Sequence, residues 1–401
     1  MVAQVIPVAI SPILTRIYSP EEFGTLALYL AILAVVSVAG TLRYELAILQ
    51  PKESRDAKAL LHLCLVINGG MSLFSLIIVI AYNYFGIDWF NNQTLNKLLY
   101  LLPVSFFLNG FVLSLRYWLL RQNRYGKITG VTIAQSGGTG GGQIAAGQWS
   151  VVNGLIFGQV IGQLLAGVYI AFAGIKSDKR TFRDYSWSRS RKQATIFSDM
   201  PRYSLIGGIA DTLAAQLPIL FINKVFDSGI TGYFSLTFRV LNLPLVAFSG
   251  ALSQVLFKKI TDLALTNSKQ IRPLLLKIHF GLVGMMLPFI CFFWFWGQDV
   301  FGFVFGENWR EAGKMASILA FGVAVRFSVS PLSMVLAMRK NVRLGMYWQI
   351  IYVLTLATTL YTFRGAPIEI LLVAFVCHEA FLYLIYFYLI LKGAEKLGEA
   401  R

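Results

Sequence analysis

Residues 60–82 read LLHLCLVINGGMSLFSLIIVIAY, without one Asp, Glu, Lys or Arg. A helix crossing the hydrocarbon core of a bilayer needs about 20 consecutive, mostly apolar residues, and this stretch supplies them. Outward from it, runs of the same kind recur at 1–14, 23–41, 98–115, 128–148, 151–175, 203–222, 230–257, 274–296, 312–338, 344–363 and 367–391. Their apolar residues do not alternate, which excludes barrel strands. Backbone polar groups cannot stay unpaired in lipid, so each run is predicted to be helical. The run at 1–14 is short and lacks the flanks of a signal peptide; it reads as the C-terminal part of a first helix. The expectation is an all-α integral membrane protein with about twelve transmembrane helices.

Composition agrees. The 401 residues are 56% hydrophobic and 13% charged, roughly half the ~25% charged fraction of a soluble domain. The net charge of +16 would suit a nucleic-acid binder, but the basic residues fall in alternate loops. One set holds Arg43, Lys52, Arg55 and Lys58, then Arg116, Arg121, Arg124 and Lys127, the stretch 176–202, then Lys258 to Lys277, Arg339 to Arg343, and the tail. The other set holds only Arg16, Lys97, Lys224, Arg310, Lys314 and Arg364. By the positive-inside rule the first set is cytoplasmic, which places both termini in the cytoplasm and assigns the charge to topology and lipid headgroups, not to nucleic acid. Cys64, Cys291 and Cys377, like His62, His279 and His378, are scattered without metal-ligand spacing, so no metal and no cofactor is expected.

The chain also echoes itself. Arg16 to Gly24 parallels Lys224 to Gly232, and each follows a Pro-Ile-Leu, at Pro12 and Pro218; Arg121 to Gly126 parallels Arg339 to Gly345. Internal repeats of this sort build many transporters. The division expected is an N-terminal six-helix lobe at 1–175, a basic cytoplasmic linker at 176–202, a C-terminal six-helix lobe at 203–391 and a tail at 392–401. Trp187 with interspersed Ser, Arg and Lys marks the linker as surface-lying and partly helical.

The stretch Ile10 to Gly24, with Leu42-Arg43-Tyr44-Glu45-Leu46-Ala47-Ile48-Leu49, Gly154-Leu155-Ile156-Phe157-Gly158, Phe305 to Gly313 and Ser330-Pro331-Leu332-Ser333, resembles polysaccharide flippases of the Wzx type, in the multidrug/oligosaccharidyl-lipid/polysaccharide exporter superfamily. The resemblance implies two pseudo-symmetric six-helix lobes around a central cavity and alternating access. Its implied cargo is a polyprenyl-diphosphate-linked oligosaccharide carried across a bacterial inner membrane for O-antigen, capsule or exopolysaccharide synthesis. It further implies coupling to an H+ or Na+ gradient, no enzymatic step, and membrane lipids and polysaccharide polymerase machinery as partners. One departure is the glycine run from Gly137 to Gly142. It reads as close packing against Gly154, Gly158 and Gly162, with a mobile bend as the alternative.

Charge inside a span is costly, so each such residue is a candidate for function. Arg239 lies on a stripe with Ser235, Asn242, Ser249 and Ser253, and Arg326 aligns with Ser330 and Ser333. A guanidinium binds phosphate oxygens bidentately, so Arg239 and Arg326, with Asn242, are the first candidates for substrate contact. Arg16, Arg43 and Arg116 are candidates at the span ends. The competing reading for Arg239 and Arg326 is an ion pair with Asp211, and for Arg16, Arg43 and Arg116 reach toward headgroups. Asp211 and Glu379 are candidates for ion coupling or for charge neutralisation. Two rival functions stand beside the flippase: a multidrug extruder, which would favour acids in its site, and a membrane-embedded glycosyltransferase or polymerase, which would carry a large extracytoplasmic loop.

Overall fold

The computed structural model describes residues 2–90, 92–149, 151, 153–175, 186–337 and 342–398. Residues 176–185 of the basic linker, 339–341 of the second sequence echo and 399–401 of the tail lie outside these. Among the described residues all regular structure is helical. Each predicted span lies mostly on helix among the described residues, and eight helices are long and apolar enough to cross a membrane. The chain is a multi-pass, all-α membrane protein. It divides into two compact units, Met1–Gly232 and Tyr233–Arg401.

The first unit contains α1 (Val2–Ile17), α2 (Pro20–Ser37), α3 (Ser54–Tyr84), the short α4 (Gln93–Leu98), α5 (Leu102–Arg121), α6 (Tyr125–Gln148), α7 (Gly154–Ile175), α8 (Trp187–Ile196), α9 (Leu205–Val225) and the first turn of α10 (Ser228–Leu241). The segments of the first echo are helix starts. Ser19 caps α2, accepting from the Glu22 N–H at 3.4 Å while its own N–H donates to the Glu22 carboxylate at 3.0 Å. This reciprocal pair satisfies two amides that the helix itself cannot. At the matching place Asp227 accepts from the Ile230 N–H at 2.8 Å and starts α10.

Lipid tails are as apolar as Leu, so helices in a bilayer associate through close packing and polar contacts rather than through hydrophobic burial. The glycine run does this. α6 is unbroken through Gly137–Gly142, and a Cβ on Gly142 would lie 3.0 Å from the Gly158 Cα, one on Gly138 3.1 Å from the Gly162 Cα. Close packing on α7, not a bend, is what Gly138 and Gly142 provide. Inside the linker, α8 packs on α3: Ser190 is buried and donates to the Ala59 carbonyl at 2.9 Å, and Gln193 is buried beside it. The Tyr44 hydroxyl donates to the Ala194 carbonyl at 3.1 Å, and burial pushes its pKa up, so it stays a donor. Trp187 and Ile196 face outward.

The second unit continues α10 and adds α11 (Leu243–Thr266), α12 (Ile271–Phe305), α13 (Arg310–Val329), the short α14 (Met334–Ala337), α15 (Val342–Thr362) and α16 (Ile368–Gly398). Two expectations are corrected here. The run 230–257 is not one helix: it breaks at Asn242, with Pro244 in the first turn of α11. Proline supplies no N–H for a continuing ladder, and its ring clashes with the preceding turn. Likewise 312–338 is interrupted by a 3-10 turn at Ser330–Leu332 containing Pro331.

Candidate functional site

In the first unit, the chain leaves α2 and turns sharply through Leu42 and Arg43, both in the left-handed region at φ 49° and 65°. That conformation costs a non-glycine residue about 1–2 kcal/mol. The turn brings the Arg43 guanidinium against α9 at Gly208, where a Cβ would lie 2.8–2.9 Å from its atoms. Glu45, 1% exposed, stands 3.9 Å from Arg43 and accepts from the Thr41 hydroxyl. One carboxylate at that distance does not use all five guanidinium donors, and the Arg43 Nε is buried without a hydrogen-bond partner in the protein. Asp211 is exposed, one turn further along α9 from Gly208.

Arg116, on α5, borders a cavity of about 340 Å³ together with Ser37, Asn109, Gln135 and Gln159 from α2, α5, α6 and α7. Its Nη2 donates to the Thr132 hydroxyl at 3.3 Å, and its Nε is buried without a partner in the protein. Arg116 therefore points inward, not to headgroups. Arg16 is exposed in the last turn of α1.

In the second unit, Arg239 is half-buried on α10, one turn before the break. The break removes the single-face stripe read from its spacing with Ser249 and Ser253. Asn242 closes the end of α10, its side-chain amide donating to the Phe238 carbonyl at 2.7 Å. Arg326 is half-buried on α13, and the turn at Ser330 takes Ser330 and Ser333 off its helix. Its electrostatic counterpart is Glu379 of α16, which is 3% exposed and accepts from the Tyr352 hydroxyl of α15. Around Glu379 stand His378, hydrogen-bonded at 3.0 Å to Thr355, and the rings of Trp348, Tyr383 and Tyr386, with Trp348 stacked on Tyr386 at 4.4 Å. Among the described residues no cluster of three or more His, Cys, Asp or Glu could hold a metal ion.

Both units thus carry arginines in or beside their membrane helices, and among the described residues the buried acids Glu45 and Glu379 each lie in the field of one of them. A sequence profile described as polysaccharide biosynthesis protein matches residues 13–314. The chain belongs to this polysaccharide biosynthesis family. The matched region includes the capped helix starts, the Arg43 turn, Arg116 and Arg239; Arg326 and Glu379 lie beyond it. Among curated proteins none matches at a significant level. The fold is that of known transporters. The lipid II flippase MurJ, in an inward closed conformation, aligns with a TM-score of 0.72 at 16% identity over 99% of this chain and 90% of that one. An inward-facing multidrug resistance MATE family transporter of the MOP superfamily aligns with 0.71 at 14% identity, over 99% and 96%. The family member described here therefore has the two-lobed MATE and MurJ fold, as the sequence resemblance implied.

Sequence reasoning missed several polar residues that the fold gathers. Ser37, Asn109, Gln135 and Gln159 sit singly in apolar runs. The usable signal was the spacing of Gln159 and Gln163, which puts two amides on one face of a membrane helix.

Proposed function

We propose that this chain is a flippase that carries a polyprenyl-diphosphate-linked oligosaccharide from the cytoplasmic to the periplasmic leaflet of a bacterial inner membrane by alternating access. Both termini are cytoplasmic in this reading, and no bond of the cargo is made or broken. The observation that carries it is the unspent donor capacity of arginines in and beside the membrane helices: Arg43, in the turn after α2, and Arg116, on α5, each bury an Nε with no partner in the protein. Such donors suit an anion, and the diphosphate and acidic sugars of a glycolipid are anions that must cross a membrane. Membership in a polysaccharide biosynthesis family favours that cargo over the cationic drugs that the MATE likeness would suggest.

Arg239 and Arg326 remain substrate-contact candidates, with Arg43, Arg116, Arg16 and Asn242 beside them. Glu379 becomes the preferred acid for H+ or Na+ coupling, because it is buried and electrostatically tied to Arg326, with Asp211 as the second candidate. The test is translocation of an undecaprenyl-diphosphate-linked oligosaccharide in proteoliposomes. Arg43→Ala, Arg116→Ala, Arg239→Ala and Arg326→Ala are compared with the natural chain at matched protein content. Each is expected to slow translocation; full activity in all four would remove the reading of the site, and no activity in the natural chain would remove the function.

A further inference from the structure

We infer that the cavity inside Met1–Gly232 is a sugar-binding site that takes an acidic sugar unit, with its carboxylate on Arg116 and its hydroxyls on the surrounding amides. The inference rests on the glycolipid reading above and narrows the cargo to glycans that contain a uronate-like residue.

The first ground is the lining. Around about 340 Å³ stand one guanidinium, one hydroxyl and the carboxamides of Asn109, Gln135 and Gln159, and no acid. A carboxamide offers a donor and an acceptor side by side, which matches a pair of neighbouring sugar hydroxyls. A guanidinium adds a two-pronged partner for a carboxylate. Leu33 and Leu113 supply an apolar wall for the C–H face of a ring. A cation, whether drug or coupling ion, would find a positive charge and no counter-charge here.

The second ground is unspent hydrogen-bonding capacity. The Ser37 hydroxyl and the Arg116 Nε, both on the cavity wall, are buried without partners in the protein. Gln163, one turn beyond Gln159 and 1% exposed, has neither amide atom bonded. Asn68, fully buried, has a free Oδ1 that crowds the face of Gly110, itself a wall residue. Leaving such a group unpaired in the interior is costly. The two on the wall itself, the Ser37 hydroxyl and the Arg116 Nε, are free for what enters the hollow.

The third ground is size. The volume lies at the low end of the roughly 300–1,000 Å³ typical of small-molecule sites. It admits a sugar unit and is too small to hold a whole polyprenyl chain.

The linkage diphosphate shares the anionic chemistry of a uronate, so the test separates them. The full-length protein in lipid nanodiscs is titrated calorimetrically with a glucuronate-containing disaccharide, with the same disaccharide bearing glucose in place of glucuronate, and with inorganic diphosphate. The acidic disaccharide is expected to bind about tenfold or more tightly than the neutral one, and more tightly than diphosphate. Arg116→Gln is expected to reduce its affinity to that of the neutral disaccharide, Arg116→Lys to keep part of the difference, and Gln159→Leu to weaken both sugars alike. Equal binding of the two disaccharides by the natural chain overturns the proposal without recourse to any variant. Preferential binding of diphosphate also overturns it, and reassigns Arg116 to the lipid linkage. Failure of every probe while proteoliposomes still translocate lipid-linked oligosaccharide removes the sugar site and leaves the flippase reading standing.

Discussion

Gly24 of α2 and Gly232 of α10 meet backbone to backbone, and each lies against a carbonyl from the other's helix. A Cβ on Gly24 would stand 2.6 Å from the Ser228 carbonyl carbon and 3.0 Å from the Gly232 nitrogen; one on Gly232 would stand 2.8 Å from the Pro20 carbonyl carbon and 3.1 Å from the Gly24 nitrogen. Gly24 and Gly232 are as far apart in sequence as Pro20 and Ser228, so equivalent positions of the repeat make equivalent contacts. Such reciprocity is what a local two-fold relation requires. Asn92 fastens the junction, its amide donating to Thr25 at 3.1 Å and to Ser228 at 2.9 Å.

Gly24→Ala and Gly232→Ala should each destabilise the protein by about 1–3 kcal/mol, the usual cost of forcing extra volume into a packed contact. The neighbouring atoms are backbone and cannot rotate away. Gly207→Ala on α9 has open space around its Cβ, and should be neutral or stabilising by up to about 1 kcal/mol through helix propensity. Thermal unfolding of the purified variants in detergent decides it; a Gly24→Ala melting curve identical to that of Gly207→Ala would contradict the packing argument.

The α6–α7 seam separates two classes of glycine, packed and open. A Cβ on Gly162 would come within 2.6 Å of the Gln135 carbonyl, and one on Gly158 within 2.8 Å of the Gln143 Cα, whereas Gly137 and Gly141 meet nothing. Gly158→Ala and Gly162→Ala should lower the unfolding temperature, and Gly137→Ala and Gly141→Ala should hold or raise it. The four variants change the same atoms in the same pair of helices, so equal effects would mean that composition, not contact, governs the seam.

The helices were legible because a membrane span is dictated by its solvent: Leu60–Tyr82 has to be helical in lipid whatever it packs against. The first echo was legible because its two segments start helices, where Ser19 and Asp227 perform one local task. The breaks at Asn242 and at Ser330–Leu332 were hidden, since proline is tolerated in membrane helices and hydropathy carries no record of a turn. The partner of Arg326 was also hidden. Glu379 comes from another helix, and nothing in the spacing of either residue points to the other, so Asp211 was as good a choice on sequence alone. The cavity at Arg116 depends on four helices converging and leaves only isolated Gln, Asn and Ser residues as its trace.

Arg326 and Glu379 offer a test of that pairing. Removing one member leaves the other buried without its counter-charge, a costly state, whereas removing both abolishes the need for either. Arg326→Met and Glu379→Gln should each destabilise, and the double variant should be more stable than the sum of the two by about 0.5–3 kcal/mol. Tyr352→Phe takes away the hydroxyl that donates to Glu379 and should cost about 1–3 kcal/mol for the unsatisfied acceptor. Additive effects in the cycle would show that the two charges do not act on one another.

Gly208 separates a structural from a functional role for Arg43. An alanine there meets the tip of a flexible side chain, not backbone, so the guanidinium can swing aside and the fold should lose less than about 1 kcal/mol. The displaced group would no longer stand where the left-handed turn at Leu42–Arg43 places it. Gly208→Ala should therefore reproduce the slow translocation of Arg43→Ala with nearly natural thermal stability, while its neighbour Gly207→Ala leaves transport unchanged. Adding Arg43→Ala to Gly208→Ala should then slow transport no further, because both changes remove the same interaction. Proteoliposome rates measured beside melting temperatures for these variants decide the matter: a Gly208→Ala protein that melts early and transports normally would make Arg43 a packing residue whose charge the cargo never meets.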